Sequence, residues 1–240
     1  MKTTLSFLTL LFLSNFTTAQ TTITLPCSRD ASIGYHTNYG TDNNNYGNAA
    51  QISGMMIPGN SGGFNNGQGV FDFDLSSIPS GSTILSASLN LYALVDGTGV
   101  LSNGHVGSGN SCFIERITEP WNENTVTWNN RPNYTSINAV SLPASTSPFQ
   151  DYLNIDVKNL VEDMIVSIDS SNGFLLRLQN EVVYNLLSFS SKDNGNPNKI
   201  PTLTISYESP LSIRSVNFQS TIDIMPNPTT DKLIINITVR

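Results

Sequence analysis

Apolar and polar residues alternate along most of this chain, and this alternation constrains its fold more than any other feature. In the run ASLNLYAL at residues 87–94, Leu89 and Leu91 point to one side of an extended chain and their polar neighbours to the other. Similar runs predict β-strands at residues 22–27, 51–57, 69–75, 85–95, 111–118, 174–178, 182–190 and 202–207. Turns rich in Asn and Gly separate them, so we expect an all-β sandwich.

One segment follows a helical period instead. From Asp156 onward, the apolar residues recur at the spacing of an amphipathic helix. They are Val157, Leu160, Val161, Met164, Ile165 and Ile168. Asp156 precedes this stripe and can cap the helix by accepting a hydrogen bond from an amide of the first turn. The sequence therefore predicts one short helix over about residues 156–168, lying across an end or edge of the sandwich.

The first 19 residues have the layout of a secretory signal peptide. Lys2 supplies the positive charge, residues 5–16 are mostly apolar, and Ala19 ends a cleavage site of small residues. The apolar run is shorter than the roughly 20 residues that span a bilayer, which argues against a transmembrane anchor. We therefore expect a mature protein that begins near Gln20, is not inserted in a membrane, and lies outside the cell or on its outer surface.

The charge balance excludes one large class of partners. The formal net charge is −7, and the few basic residues are scattered along the chain. Nucleic-acid binding requires clustered Lys and Arg side chains to neutralise phosphates, so nucleic acid is not an expected partner.

The two cysteines, Cys27 and Cys112, both belong to the expected mature chain. An even number of cysteines in an exported protein favours a disulfide, and we predict one between them. The alternative is a pair of buried free thiols that pack as small apolar groups.

The composition changes after Tyr207, where Glu208-Ser209-Pro210 marks a linker. We expect a sandwich domain over residues 20–208, a linker over 209–220 and a short C-terminal β tail over 221–240.

Several short motifs occur in a fixed order along residues 22–207. They include the turn Asn45-Tyr46-Gly47, the string FDLSSIP at 73–79, the strand ASLNLY at 87–92 and the segment WNENTVTWNNRP at 121–132. In this order they resemble the DNRLRE-type domain, a jelly-roll-like β-sandwich that is treated as a carbohydrate-binding module. The resemblance implies a jelly-roll-like fold and a polysaccharide as the partner.

The tail carries a second resemblance. Its segment IMPNPTTDKL at 224–233 is similar to the start of the C-terminal sorting domain of the type IX secretion system. Such domains are usually longer, so this copy looks truncated. The resemblance implies that the export and sorting machinery contacts the tail.

Motifs of catalysis are scarce. The sequence has no Gly-x-Ser-x-Gly elbow and no HExxH zinc helix, and His36 and His105 lie in Gly- and Asn-rich loops without a partner motif. This pattern predicts solvated loop histidines and a protein that is not an enzyme. A carboxylate pair such as Asp72 and Asp74 is the alternative that the sequence leaves open.

The predicted glycan-binding residues are loop aromatics and polar groups, since rings stack on sugars and amides bind hydroxyls. They are Tyr35, Tyr39, Asn45, Tyr46, Trp121 and Arg131. Trp128 is expected to be structural. Asp42 begins an oxygen-rich run and is a weak calcium candidate, but the run lacks EF-hand spacing, and an Asn-rich turn without metal is the alternative. The alternative function is a structural or adhesive surface domain that binds no glycan.

Overall fold

The computed structural model describes residues 20–59, 62–94, 104–166, 171–210, 220–224 and 235–239. They divide into two compact units, with the division between Pro210 and Leu211. The predicted signal peptide, residues 1–19, lies outside the described residues.

Extended strands dominate both units. In chain order they are β1 (Gln20–Pro26), β2 (Arg29–His36), β3 (Gln51–Pro58), β4 (Phe64–Asp72), β5 (Thr83–Leu91), β6 (Cys112–Ile117), β7 (Tyr134–Leu142), β8 (Tyr152–Asp156), β9 (Phe174–Leu178), β10 (Asn185–Ser190), β11 (Thr202–Glu208), β12 (Ser220–Ile224) and β13 (Ile235–Val239).

The first unit contains two antiparallel sheets. One has four strands in the order β1-β11-β5-β8. The other has seven, in the order β10-β3-β4-β9-β6-β7, with β2 paired to β4. The predicted all-β sandwich with one short helix is confirmed.

The main core lies between the two sheets. As the alternation predicts, Leu89 and Leu91 of β5 are fully buried, while Asn90 between them is only partly covered. The opposite sheet contributes rings to the same core, and Phe71 lies with its centroid 5.5 Å from that of Phe174.

A second apolar cluster forms on the other face of the seven-stranded sheet. Neighbouring residues of a strand point to opposite faces, so Val70 and Leu175 turn away from the core that Phe71 and Phe174 fill. The segment after β6 covers them with Trp121 and Val126, and the cluster also includes Ala31, Ile33 and Ile117.

The helix α1 (Lys158–Ile165) is shorter than predicted. Its buried residues are Leu160, Val161 and Met164, which belong to the predicted stripe. Asp156 does accept a hydrogen bond from the Lys158 amide at 3.0 Å, although the residue at the N-cap position is Val157. Among the described residues, no helix is both long and apolar enough to cross a bilayer.

The predicted disulfide between Cys27 and Cys112 is wrong. Both residues are free and buried, which is the alternative that the sequence left open. Each thiol has its own partner. Cys27 Sγ donates to the Arg29 carbonyl at 3.3 Å, and Cys112 Sγ donates to the Asn110 carbonyl at 3.6 Å. Burial raises the pKa of both thiols.

The second unit is described by its backbone. β12 and β13 pair antiparallel, with Ile222 opposite Ile237.

Candidate functional site

The segment that follows β2 folds back along that strand. Gly40 has a left-handed backbone at φ +58° and precedes a single 3-10 turn, Thr41–Asn43. The Thr41 hydroxyl accepts from the His36 amide at 2.7 Å, and the Ser32 amide donates to the Tyr46 carbonyl at 3.4 Å. The Asn-rich stretch is therefore an ordered wall beside β2.

Asn129 fastens a second segment to this wall. Its side-chain amide donates to Asp42 Oδ2 and to Asn43 Oδ1, both at 2.9 Å. Its backbone amide donates to the Asp42 carbonyl at 3.1 Å. These three bonds place the residues around Trp128 next to the end of β2.

Asn45 makes a parallel connection. Its side-chain amide donates to the carbonyl of Glu123 at 2.8 Å and to that of Val126 at 2.7 Å. Gly47 passes so close to the Glu123 carbonyl that a side chain at this position would collide with it. Asn45 and Gly47 therefore have structural roles here.

Two rings and a cation meet where the two segments join. The ring centroids of Tyr35 and Trp128 lie 4.9 Å apart, with the planes inclined by 56°. The Arg131 guanidinium lies 4.2 Å from the Trp128 ring centroid and donates to the Trp128 carbonyl at 2.6 Å. Both rings are partly exposed and held on several sides, so they form a rigid aromatic surface.

This surface borders an open depression of about 340 Å³, which we call the Tyr35–Trp128 cleft. It is lined by Tyr35, His36, Thr37, Gly40, Asp42, Trp128 and Asn129. Tyr35 also lines an adjoining, mainly apolar cavity of about 160 Å³, together with Tyr46 and Asn66. Hydroxyls, amides and aromatic faces are thus gathered around one opening.

Four of the six predicted binding residues come together in this region. Tyr35 lines the cleft, Tyr46 lines the adjoining cavity and is 38% exposed, and Arg131 covers Trp128. Tyr39 is 56% exposed, and its ring lies 4.4 Å from that of His36 in the cleft wall.

Trp121 lies elsewhere. It is 7% exposed, its indole N–H donates to the Asn172 carbonyl at 2.8 Å, and the Arg29 guanidinium lies 4.6 Å from its ring centroid. Trp121 is therefore part of the second apolar cluster and does not line the cleft.

Comparison with protein families supplies the last observation. The sequence profile of carbohydrate-binding module family 96 matches residues 22–207. The chain belongs to carbohydrate-binding module family 96. This confirms the predicted carbohydrate-binding-module-like domain. The resemblances to a DNRLRE-type domain and to a type IX sorting domain stay predictions. No curated protein matches the chain.

The sequence reasoning missed two residues in the cleft of this family 96 module. Trp128 was expected to be structural, yet it is partly exposed at the cleft, and Asn129 joins the two walls. The available signal was the polar turn that follows Trp128, Asn129-Asn130-Arg131, which marks a ring at the surface.

Both histidines of the module are buried, which corrects their predicted exposure. His36 Nδ1 accepts from the Asn38 amide at 3.1 Å, because the chain turns tightly after β2. His105 bonds the Gln150 carbonyl through Nε2 at 2.9 Å and accepts from the Ser188 amide at Nδ1. Burial lowers the pKa of His105.

Calcium at Asp42 stays a prediction. In the structure the Asp42 carboxylate accepts a hydrogen bond from the Asn129 side-chain amide. Three other carboxylates of the module lie close together. Asp30, Glu123 and Asp193 each place one oxygen within 4.8 Å of the others. Lys192 Nζ lies 3.2 Å from Glu123 and 3.0 Å from Asp193. The lysine supplies the positive charge that this group needs.

Proposed function

We propose that this chain is a secreted or cell-surface, non-catalytic carbohydrate-binding module that holds glycan at the Tyr35–Trp128 cleft. The observation that carries the proposal is the partly exposed ring pair of Tyr35 and Trp128 at an open cleft, in a chain that belongs to a carbohydrate-binding family. The apolar faces of sugar rings stack on such aromatics, and the Asn129 side-chain oxygen and the Thr37 hydroxyl offer hydrogen bonds.

The composition of the cleft supports binding without turnover. Glycoside hydrolysis generally uses two carboxyl groups that flank the scissile bond. Among the residues described at the cleft, Asp42 alone carries a carboxylate. We therefore expect that the module leaves its glycan uncut.

We expect Trp128→Ala to weaken glycan binding by about 10- to 100-fold. Removing the ring takes away an apolar contact worth about 1.5 to 3 kcal/mol. Isothermal titration against a panel of neutral and acidic polysaccharides, with residues 20–210, measures the loss. The wild-type affinity is expected in the micromolar to millimolar range, about −4 to −8 kcal/mol, as for shallow sites.

Phe149→Ala is the matched control, because this ring is 52% exposed and lines neither the cleft nor the adjoining cavity. It should bind as the wild type does. If a folded wild-type module binds no glycan at millimolar concentration, the structural or adhesive alternative replaces our proposal. A glycan shortened on long incubation contradicts the non-catalytic part.

Secretion rests on the predicted signal peptide and on the resemblance of the tail to a sorting domain. We expect export of the full chain in a bacterium that has type IX secretion, with the mature protein beginning near Gln20. Intact-mass spectrometry of the culture medium and the cell-surface fraction gives the N-terminus. A protein that keeps residues 1–19 and stays in the cytoplasm contradicts this expectation.

A further inference from the structure

Tyr184 combines a rare backbone conformation with an exposed ring. Its φ is +70°, and 67% of the residue is accessible to solvent. Only two other non-glycine residues in the described part of the chain, Asn138 and Asn154, have positive φ. Asparagine tolerates this conformation far better than tyrosine, and strained residues of this kind concentrate at ligand sites.

The neighbouring loop holds Tyr184 in this conformation. Gly107 approaches the Tyr184 carbonyl so closely that a side chain on Gly107 would collide with it. Asn185 accepts from the Gly109 amide at 3.0 Å and donates to the Val182 carbonyl at 2.9 Å. The ring is therefore presented by a loop with little freedom, which reduces the entropy lost when a ligand binds.

Beside the ring lies a depression of about 480 Å³, which we call the Tyr184 depression. It is lined by Gly107, Ser108, Gly109, Asn180, Val182, Val183, Tyr184 and Asn185, none of which carries a charge. The carboxylate of Glu181, in the same loop, instead accepts from the Asn66 side chain at 2.9 Å. The depression thus offers an aromatic face and neutral polar groups.

We propose that the Tyr184 depression is a second contact for the polysaccharide bound at the Tyr35–Trp128 cleft, and that it takes an uncharged sugar residue. This inference rests on the proposed function. The sugar ring stacks on Tyr184, and its hydroxyls bind Ser108 and the Asn180 amide, which both line the depression. The absence of charge among the lining residues favours neutral sugars over uronic acids.

The two contacts lie close enough to serve one chain. Tyr35 is directly opposite Asn66 in the β2–β4 pair, and Asn66 bonds Glu181. Tyr184 follows Glu181 by three positions, so at most about 11 Å of chain joins them. Once the cleft holds a polysaccharide, the second contact forms at high effective concentration and raises the overall affinity.

Affinity electrophoresis of residues 20–210 in gels that contain galactomannan, xyloglucan or mixed-linkage β-glucan tests the inference, with polygalacturonate as the acidic comparison. We expect Tyr184→Ala to lower the affinity for at least one neutral polysaccharide by about tenfold or more. Tyr184→Phe keeps the ring and should match the wild type, as should Phe149→Ala. Asn180→Ala, which changes an exposed side chain, should weaken binding in the same gels and checks the result independently of Tyr184 folding.

The outcomes separate the two proposals. If Trp128→Ala weakens binding while Tyr184→Ala and Asn180→Ala migrate as the wild type, the cleft stands and the second contact is wrong. If Tyr184→Ala weakens binding only to polygalacturonate, the neutral-sugar assignment is wrong. If the folded wild type is retarded by none of these polymers, the inference fails, and it fails together with the proposed function if the full titration panel also shows no binding.

Discussion

Replacing Trp121 with alanine is expected to lower the free energy of unfolding by about 3 to 5 kcal/mol, as large-to-small changes of buried aromatics do. The indole closes the second apolar cluster, and its removal opens a cavity over Val70 and Leu175. It also leaves the Asn172 carbonyl without its indole donor and the Arg29 guanidinium without the ring that it covers.

Urea denaturation of residues 20–210 measures this loss. Trp128→Ala provides the comparison, because Trp128 is only partly buried and its removal should cost about 1 kcal/mol. For glycan binding we expect the reverse order of effects. Folded Trp121→Ala keeps the affinity of the wild type, while Trp128→Ala loses affinity. Equal destabilisation by the two changes would show that the second cluster does not depend on Trp121.

The second large effect is expected for replacing Asp30 with asparagine, and its size depends on pH. Asp30 is fully buried, and only one of its oxygens has partners, the Lys192 amide at 2.7 Å and Cys27 Sγ at 3.5 Å. Burial raises its pKa from 3.8 to about 6. The folded state therefore holds the proton more tightly than the unfolded chain does.

This contribution to stability is complete below about pH 4 and is lost as the pH rises through about 6. A shift of about two pKa units corresponds to about 3 kcal/mol. Asp30→Asn removes the ionisable group, so the stability of the variant relative to the wild type should rise by about 3 kcal/mol between pH 4 and pH 8. Urea denaturation at both pH values measures the difference.

Asp74→Asn is the control with the opposite sign. The Asp74 carboxylate is exposed and accepts from the Ser76 amide at 3.0 Å, and hydrogen bonding to Ser76 lowers its pKa. Its contribution to the stability of the fold is present above about pH 4 and is lost as the pH falls. Asp74→Asn should therefore be less stable than the wild type at pH 8. A pH-independent difference for Asp30→Asn would contradict the burial argument.

Most of the sandwich could be predicted because its central strands supply apolar residues to one or both of the apolar clusters. The predicted strand at residues 174–178 coincides with β9, and the runs at 51–57 and 202–207 differ from β3 and β11 by one residue. In β11 burial alternates along the strand because alternate residues face the main core. By contrast, β9 is apolar at every position except Arg177, because the main core covers one of its faces and the second apolar cluster the other.

β7 and β8 were missed because they are edge strands. β7 is largely exposed along its length, and Ile137 is 66% exposed. Because β7 has no buried face, its sequence does not need to alternate between apolar and polar residues. In β8, Asn154 has a positive φ that interrupts the regular strand. An edge strand is positioned by its neighbour, and a single sequence carries little of that information.

The site was predictable in composition but not in detail. Trp121 and Trp128 lie seven residues apart in one segment, and only the packing of that segment on Val70 and Leu175 decides which ring is buried. The disulfide prediction failed for a similar reason, because the number of cysteines indicates a disulfide while the fold buries the two thiols as free groups with separate partners.

The segment over the second apolar cluster also separates anchoring from the proposed binding surface within a few residues. Trp121 and Val126 hold it to the sheet, while Trp128 to Arg131 form an exposed turn at the cleft. A combinatorial library that varies Trp128 and Arg131 and keeps Asn129 and Asn130 would therefore change the chemistry presented at the cleft. It would also keep the hydrogen bonds that hold the turn in place. The module is suited to directed evolution of new binding specificities at this turn.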